Sequence, residues 1–287
     1  MDLQSLGLRI SRSENLAVLP SVVIEILRLY EGPNVSPRSL EKIIERDTAL
    51  TAKVLKVAGS SAYGVKSATS VGRAVSVLGV NTLRSIAVSL GYQQIMCKDE
   101  KVRSNFDRVA FGRHCLATAV ASRMIAKQLS PPMAEEMYVT GLMHDIGILA
   151  LERFCLPTLQ IAIKNAQFNR IALTQAEKSL LGFDHCEVGG MLSETWKLSP
   201  MMANALRYHE NPHGDPNNPL STAIVIGGNY LAHECGYPEI KDVNCHPTGE
   251  IVFKELGLDE EQVEWIKQTI HAEIEQADSA SQQLTAA

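Results

Sequence analysis

The chain has 287 residues, 45% hydrophobic and 21% charged, the make-up of an ordinary globular protein with apolar material for one large or two modest domains. A formal net charge of −5 and a pI near 5.9 exclude a general basic footprint for duplex DNA or an anionic membrane surface. Consecutive apolar runs fall far short of the roughly 20 residues needed to span a bilayer, and Met1-Asp2-Leu3-Gln4 lacks the basic start of a signal peptide, so a cytoplasmic chain with no membrane partner is expected.

Aromatic residues are only 5%, and apolar residues recur at three- and four-residue spacing more often than they alternate, which predicts an all-α fold. Leu19-Pro20 opens a first helix striped by Val22, Ile26 and Leu29. Ser36-Pro37 reads as an N-cap followed by proline at the first helical position, leading into Leu40, Ile43 and Ile44. Asp47 caps the next helix, with Leu50, Val54, Val57 and Ala58 inward and Lys53 and Lys56 outward. Residues 59–70 read as a turn region and Val71 to Tyr92 as renewed helix. The charged break Lys98-Asp99-Glu100-Lys101 marks a subdomain boundary, giving an N-terminal helical subdomain over 1–100, a second over 101–235 and an extension over 236–287.

In the second block, Ala117 and Ala121 follow His114 at helical spacing, which turns His114 inward. Glu135 to Leu151 reads as one helix carrying His144 and Asp145, Phe183-Asp184-His185 begins a helix running through Val188, Met191 and Leu192 to Trp196, and Ser199-Pro200 caps a helix ending near Tyr208-His209-Glu210. Ser221 to His233 is strongly apolar, and Glu260 to Glu275 is amphipathic ahead of a frayed tail. The six cysteines form no Cys-x-x-Cys pair, and Cys115 and Cys186 fall in apolar helical patterns where reduced thiols pack well.

The sharpest local signal is Gly141-Leu-Met-His144-Asp145-Ile-Gly147. An imidazole beside a carboxylate on an apolar helix costs several kcal/mol unless paired, hydrogen-bonded or held by a metal. His114, His185 and His209 lie on separate helices that can converge on the pair. His213, His233, His246 and His271 fall in exposed-looking patterns and call for no function.

These residues, with Leu19-Pro20-Ser21, the run Ile43 to Leu55, Ala74-Val75-Ser76-Val77-Leu78-Gly79 and Gly182-Phe-Asp184-His185-Cys-Glu-Val-Gly189, resemble the HDOD family, the HD-related output domains, over roughly residues 15–235. The resemblance implies an N-terminal helical bundle packed on a C-terminal subdomain similar to metal-dependent HD phosphohydrolases. It also implies a regulatory role in bacterial signalling, in a family regarded as a largely non-catalytic relative of the HD-GYP cyclic-dinucleotide phosphodiesterases. Carried over position by position, the HD-GYP ligands fall on His114, His144, Asp145, His185 and His209. The chain departs from that pattern at Tyr208, where a histidine is expected, at Asn229, where an aspartate is expected, and at Ile148, where active relatives carry lysine. Gly236-Tyr237-Pro238 repeats the letters of the HD-GYP name but lies beyond Glu210 and Asn229, and is read as chance.

Two readings of the cluster stand side by side: a residual site for one divalent ion (Fe, Mn, Zn or Mg), or a hydrogen-bonded polar remnant. For function, a non-enzymatic signalling module that binds a partner protein or small ligand is the main expectation, with no catalytic residues. A metal-dependent phosphohydrolase acting on a nucleotide or phosphate ester and a purely structural adaptor are the alternatives. The segments flanking the resemblance are too short for a receiver, kinase or cyclase domain, so the signal is expected from a separate molecule.

Overall fold

The computed structural model describes residues 2–12, 18–29, 36–60, 70–96, 106–211, 214–217, 219–243 and 248–285, and every regular element among them is a helix. An unforeseen α1 (Leu3–Ser11) precedes the Leu19-Pro20 start, opened by Asp2 accepting from the Ser5 amide. Helix α2 (Ser21–Arg28) follows Pro20, and the predicted caps hold for α3 (Pro37–Glu45) and α4 (Thr48–Ala58), where Ser36 and Asp47 accept from the Ser39 and Leu50 amides. The helix expected from Val71 to Tyr92 is two, α5 (Val71–Leu78) and α6 (Val80–Met96), because Gly79 takes a φ of 82° that ends α5 in a conformation open mainly to glycine. The turn expected over 59–70 lies mostly outside the described residues, and the charged break at 98–101 lies wholly outside them. Helices α2 to α5 pack around α6 and bury Val23, Ile26, Leu40, Ile44, Leu50, Val54 and Leu83.

The second half is built on α7 (Arg108–Leu129), which Asp107 caps by accepting from the Val109 and Ala110 amides. After a short 3-10 turn come α8 (Ala134–Met143), α9 (Ile146–Asn169), α10 (Leu173–Leu181), α11 (His185–Thr195), α12 (Pro200–Tyr208), α13 (Pro219–Glu234), α14 (Thr248–Glu255) and α15 (Glu260–Thr285). Helix α7 is flanked by α8, α13 and α15, while α6 packs on α8 and joins the two halves. Helix α15 lays Ile266, Ile270 and Ile274 into the core and continues to Thr285, past the expected start of fraying.

Two findings matter for the site, the first of them a correction. The stretch expected as one helix from Glu135 to Leu151 breaks at His144-Asp145, which form a turn between α8 and α9. Neighbouring residues on an unbroken helix point about 100° apart, so only a break lets both side chains face one centre. Second, Pro131–Asn169 is long and apolar enough by composition to cross a membrane, with a mean hydropathy of 1.5 in its most apolar window, although its consecutive apolar runs are short. It serves here as core, 61% of that window being buried inside the fold. Helix α9 within it is kinked at Cys155 (φ −137°, ψ 27°) ahead of Pro157, which has no N–H to give to the preceding turn.

The break also lets the start of α9 press against the start of α11: a Cβ on Gly147 would overlap the His185 carbonyl. Backbone on backbone leaves no side chain to move aside. Gly147→Ala is therefore expected to destabilise the protein by about 2–3 kcal/mol, the upper range of overpacking, read as a lowered midpoint in denaturant. Gly112→Ala on α7, whose new Cβ meets only Met96 at 3.4 Å, should be neutral or stabilising. Equal losses for the two would refute this packing argument.

Candidate metal centre

Each candidate residue sits at a place the local sequence makes for it. His144 caps α8 and His209 caps α12 at their C-termini, and each gives its Nδ1 hydrogen to the carbonyl three residues back, Gly141 at 2.8 Å and Leu206 at 2.9 Å. These are carbonyls that a helix end leaves without partners. His185 is the first residue of α11, behind a capping box in which Asp184 accepts from the Glu187 amide and Glu187 from the Asp184 amide. Its Nδ1 and its own amide both donate to Glu177 on α10, at 2.7 and 2.9 Å. His114, in the middle of α7, donates Nδ1 to the Tyr237 carbonyl at 2.8 Å. Asp145 stands at the N-cap position of α9 yet makes no cap bond; its carboxylate faces the histidines instead.

The five expected residues do converge, all of them at most 4% exposed. The Asp145 Oδ2 lies 3.1 Å from His144 Nε2 and 3.3 Å from His114 Nε2, and its Oδ1 lies 3.2 Å from His209 Nε2 and 3.4 Å from His185 Nε2. His114 and His144 bring their Nε2 atoms within 3.2 Å of each other. A carbonyl can only accept, so the Nδ1 atoms of His114, His144 and His209 carry the hydrogens, and in the neutral rings Nε2 presents a bare lone pair. Lone pairs aimed at one another and at a carboxylate repel unless a proton or a cation lies among them. Bonds of about 2.0–2.1 Å at tetrahedral angles would set neighbouring donors about 3.3–3.4 Å apart. The observed spacings match this, and each Nδ1 is pinned as in known metal-bound histidines. The residues present therefore fit a metal ion, and a donor set dominated by imidazole favours a borderline transition ion such as Zn or Fe over Mg.

Electrostatics show where the carboxylates draw positive charge, whether as protons on the rings or as a cation that displaces them. Burial pushes His144 down to about 4, so that ring is neutral near pH 7. Burial also lowers His185 and His209, but Glu177 beside the first, and Cys186 and Asp145 beside the second, carry both above the usual imidazole range. Burial would raise Asp145, yet the surrounding imidazoles, His144 foremost, hold it well below the carboxylate range.

Beside Asp145 a cavity of about 10 Å³, also lined by His185, Glu210, Asn229 and Glu239, has room for about one water. Burial raises Glu210 there to about 7. Asn229 donates to Glu210 at 3.3 Å and leaves its buried Oδ1 without a partner. Tyr208 is half-buried and packs over Gly214. Ile148, where a lysine was the alternative, is fully buried.

Sequence reasoning passed over Glu177, Glu239, Cys186 and His233. His233 was read as exposed, but its side chain is only 12% exposed, ion-paired to Glu239 at 2.6 Å and edge-on to His114. One helical turn beyond Asn229, it shares that residue's inward face, the single signal available. Tyr237 contributes through its carbonyl, which any residue could offer. His213 and His246 lie outside the described residues, and His271 accepts or donates a surface bond with the Tyr237 hydroxyl.

The HDOD domain profile matches residues 16–212 of this chain. An uncharacterized protein of Treponema pallidum (strain Nichols) is 24% identical over 236 residues, 80% of this chain, which spans 45% of that relative's length. Among solved structures, an HDOD domain protein with unknown function from Geobacter sulfurreducens superposes with a TM-score of 0.72 at 22% identity, over 96% of this chain and 94% of that one. A "Putative signal transduction protein" from Marinobacter aquaeolei VT8 gives 0.74 at 22% identity, over 99% and 65%. A "Putative phosphohydrolase" from Shewanella amazonensis SB2B gives 0.70 at 21%, over 94% and 93%. At these identities the likeness concerns the fold.

Among the described residues of the cluster, Glu177 hydrogen-bonds to His185, which makes it a test of the pinned-ring argument. Glu177→Gln is expected to weaken transition-metal affinity by about 10–100-fold, the usual effect of removing an outer partner of a ligating histidine, in a competition titration against a chromophoric chelator. An unchanged affinity would remove Glu177, and the ring it orients, from the site.

Proposed function

The chain belongs to the HDOD family, and from that premise we propose that it is a regulatory module of bacterial signal transduction, working through a partner protein or small ligand and without catalytic turnover. The observation that carries this reading is the closure of the cluster. Ligand sites for small molecules span about 300–1,000 Å³, whereas the space beside Asp145 is about 10 Å³, too small for a phosphate ester. The missing cation at Ile148 and the neutral amide at Asn229 point the same way, since phosphoryl chemistry depends on positive charge and hard anionic ligands.

In this reading His114, His144, Asp145, His185 and His209 would hold a metal as a brace. A bound divalent ion would supply positive charge that neutralises Asp145 and ties five helices, through side chains from α7, the α8–α9 turn, α11 and α12, into one unit. A surface for a small ligand lies close by. A cleft of about 860 Å³ opens between α7, α9, α15 and the segment after α13, lined among others by Arg113, Lys164, Tyr237, Glu239, Ile240 and Ile274. Tyr237 and Glu239 form the wall between that cleft and the cluster, so occupancy of one side bears on the geometry of the other.

A second reading, a metal-dependent phosphohydrolase, is favoured by one observation: Asp145 offers one oxygen to each of two histidine pairs, an arrangement able to bridge two ions. Elemental analysis with an activity screen separates the two. The regulatory reading expects bound transition metal and no hydrolysis of cyclic di-GMP or p-nitrophenyl phosphate with Mn, Fe, Zn or Mg added. Turnover lost in Asp145→Ala would overturn it. As a brace, an ion held at 100 times its Kd contributes about 2.7 kcal/mol, so chelation is expected to lower the Tm by roughly 5–10 °C. After His144→Ala, chelator should have little further effect.

A further inference from the structure

Cys186 is the residue at the cluster that the functional reading leaves unused. It follows His185 on α11, is 3% exposed, and sets its Sγ 3.6 Å from His209 Nε2. A ring nitrogen of His185, the Cys186 sulfur and a ring nitrogen of His209 all lie within 4.8 Å of one another. A buried thiol that merely packs needs apolar neighbours. This one faces His209 Nε2, which turns a lone pair toward the sulfur once the ring is neutral, its Nδ1 hydrogen being given to Leu206.

The distances also fit ligation. Bonds of about 2.3 Å to sulfur and about 2.0–2.1 Å to nitrogen, at tetrahedral angles, set those two donors about 3.5–3.6 Å apart, against about 3.3–3.4 Å for nitrogen and oxygen. On this side of Asp145 the sulfur to His209 spacing is 3.6 Å, and the Oδ1 spacings to His209 and His185 are 3.2 and 3.4 Å. The longer edge belongs to the larger atom. The other side of the carboxylate has His114 and His144 and no sulfur among the described residues that could hold a metal with them.

We propose that Cys186 is a metal ligand, joining His185 and His209 in a one-sulfur, two-nitrogen set beside Asp145 that takes a thiophilic divalent ion such as Zn, Fe or Co rather than Mg or Ca. The inference rests on the metal reading of the cluster. On binding, the S–H bond breaks, a sulfur–metal bond forms and the proton leaves to solvent; no electrons are transferred. Thiolate ligation selects against hard ions, which prefer an all-oxygen shell.

Cobalt(II) titration of the reduced, metal-free full chain tests this. Cobalt held by the cluster gives visible d–d bands, and a cobalt–thiolate bond adds a near-ultraviolet charge-transfer band. The wild type is expected to show both, and Cys186→Ser to keep the visible bands while losing the near-ultraviolet one. Visible bands without the charge-transfer band in the wild type, or a charge-transfer band that survives Cys186→Ser, overturns the proposal and leaves the histidine site standing. No cobalt bands at all overturns the metal reading itself. Should Cys186→Ser not fold, X-ray absorption on the zinc-loaded wild type decides: one sulfur scatterer at about 2.3 Å supports the ligand, and a shell of nitrogen and oxygen alone refutes it.

Discussion

A single buried carboxylate sets the terms for the rest of this structure. Asp145 is 3% exposed, and an ionised carboxylate in such a place costs several kcal/mol unless charge or hydrogen bonds surround it. Four imidazoles do so here, two on each oxygen: His144 from the same turn, and His114, His185 and His209 from three other helices. The fold of the C-terminal half is in effect the arrangement that brings α7, α11, α12 and the α8–α9 turn to that one point. Breaking the helix at His144-Asp145 gives up a continuous hydrogen-bond ladder and gains the convergence of two adjacent side chains.

The orientation of the rings is built largely from backbone. His144 and His209 use the carbonyls of their own terminal turns, and His114 uses the Tyr237 carbonyl. Backbone partners fix a tautomer while placing no demand on the side chain that supplies them. Glu177 is the exception, a fully buried carboxylate that holds both the ring and the amide of His185. The acidic surroundings of the centre therefore include Glu177, Glu210 and Glu239 besides Asp145, which is a strong field for a cation and a weak one for a phosphate.

Closure and connection go together. The space beside Asp145 is only about 10 Å³, yet the segment from Tyr237 to Glu239 separates the cluster by one thickness of chain from a much larger cleft. His233, stacked edge-on to His114 and paired to Glu239, ties that segment to α13. The proposed regulatory role would need a surface that a second molecule can occupy and a rigid centre for it to act upon, and here the cleft and the cluster share a wall.

Much of this was written in the sequence. Low aromatic content and three- and four-residue apolar spacing determined an all-helical chain, and Ser36-Pro37, Asp47, Asp184 and Ser199-Pro200 marked helix starts because capping is a local hydrogen bond that neighbouring residues decide. The ligand-type residues His114, His144, Asp145, His185 and His209 were legible because polar groups on apolar faces stand out. Gly79 and the His144-Asp145 break were not, since a helical period continues across a turn that preserves the buried face. His233 looked like a surface residue and Cys186 like core, and no local pattern singled out Glu177 or Glu239. Only tertiary packing decided their roles, because what gives each its chemistry is a partner remote in sequence or a burial that no local pattern records.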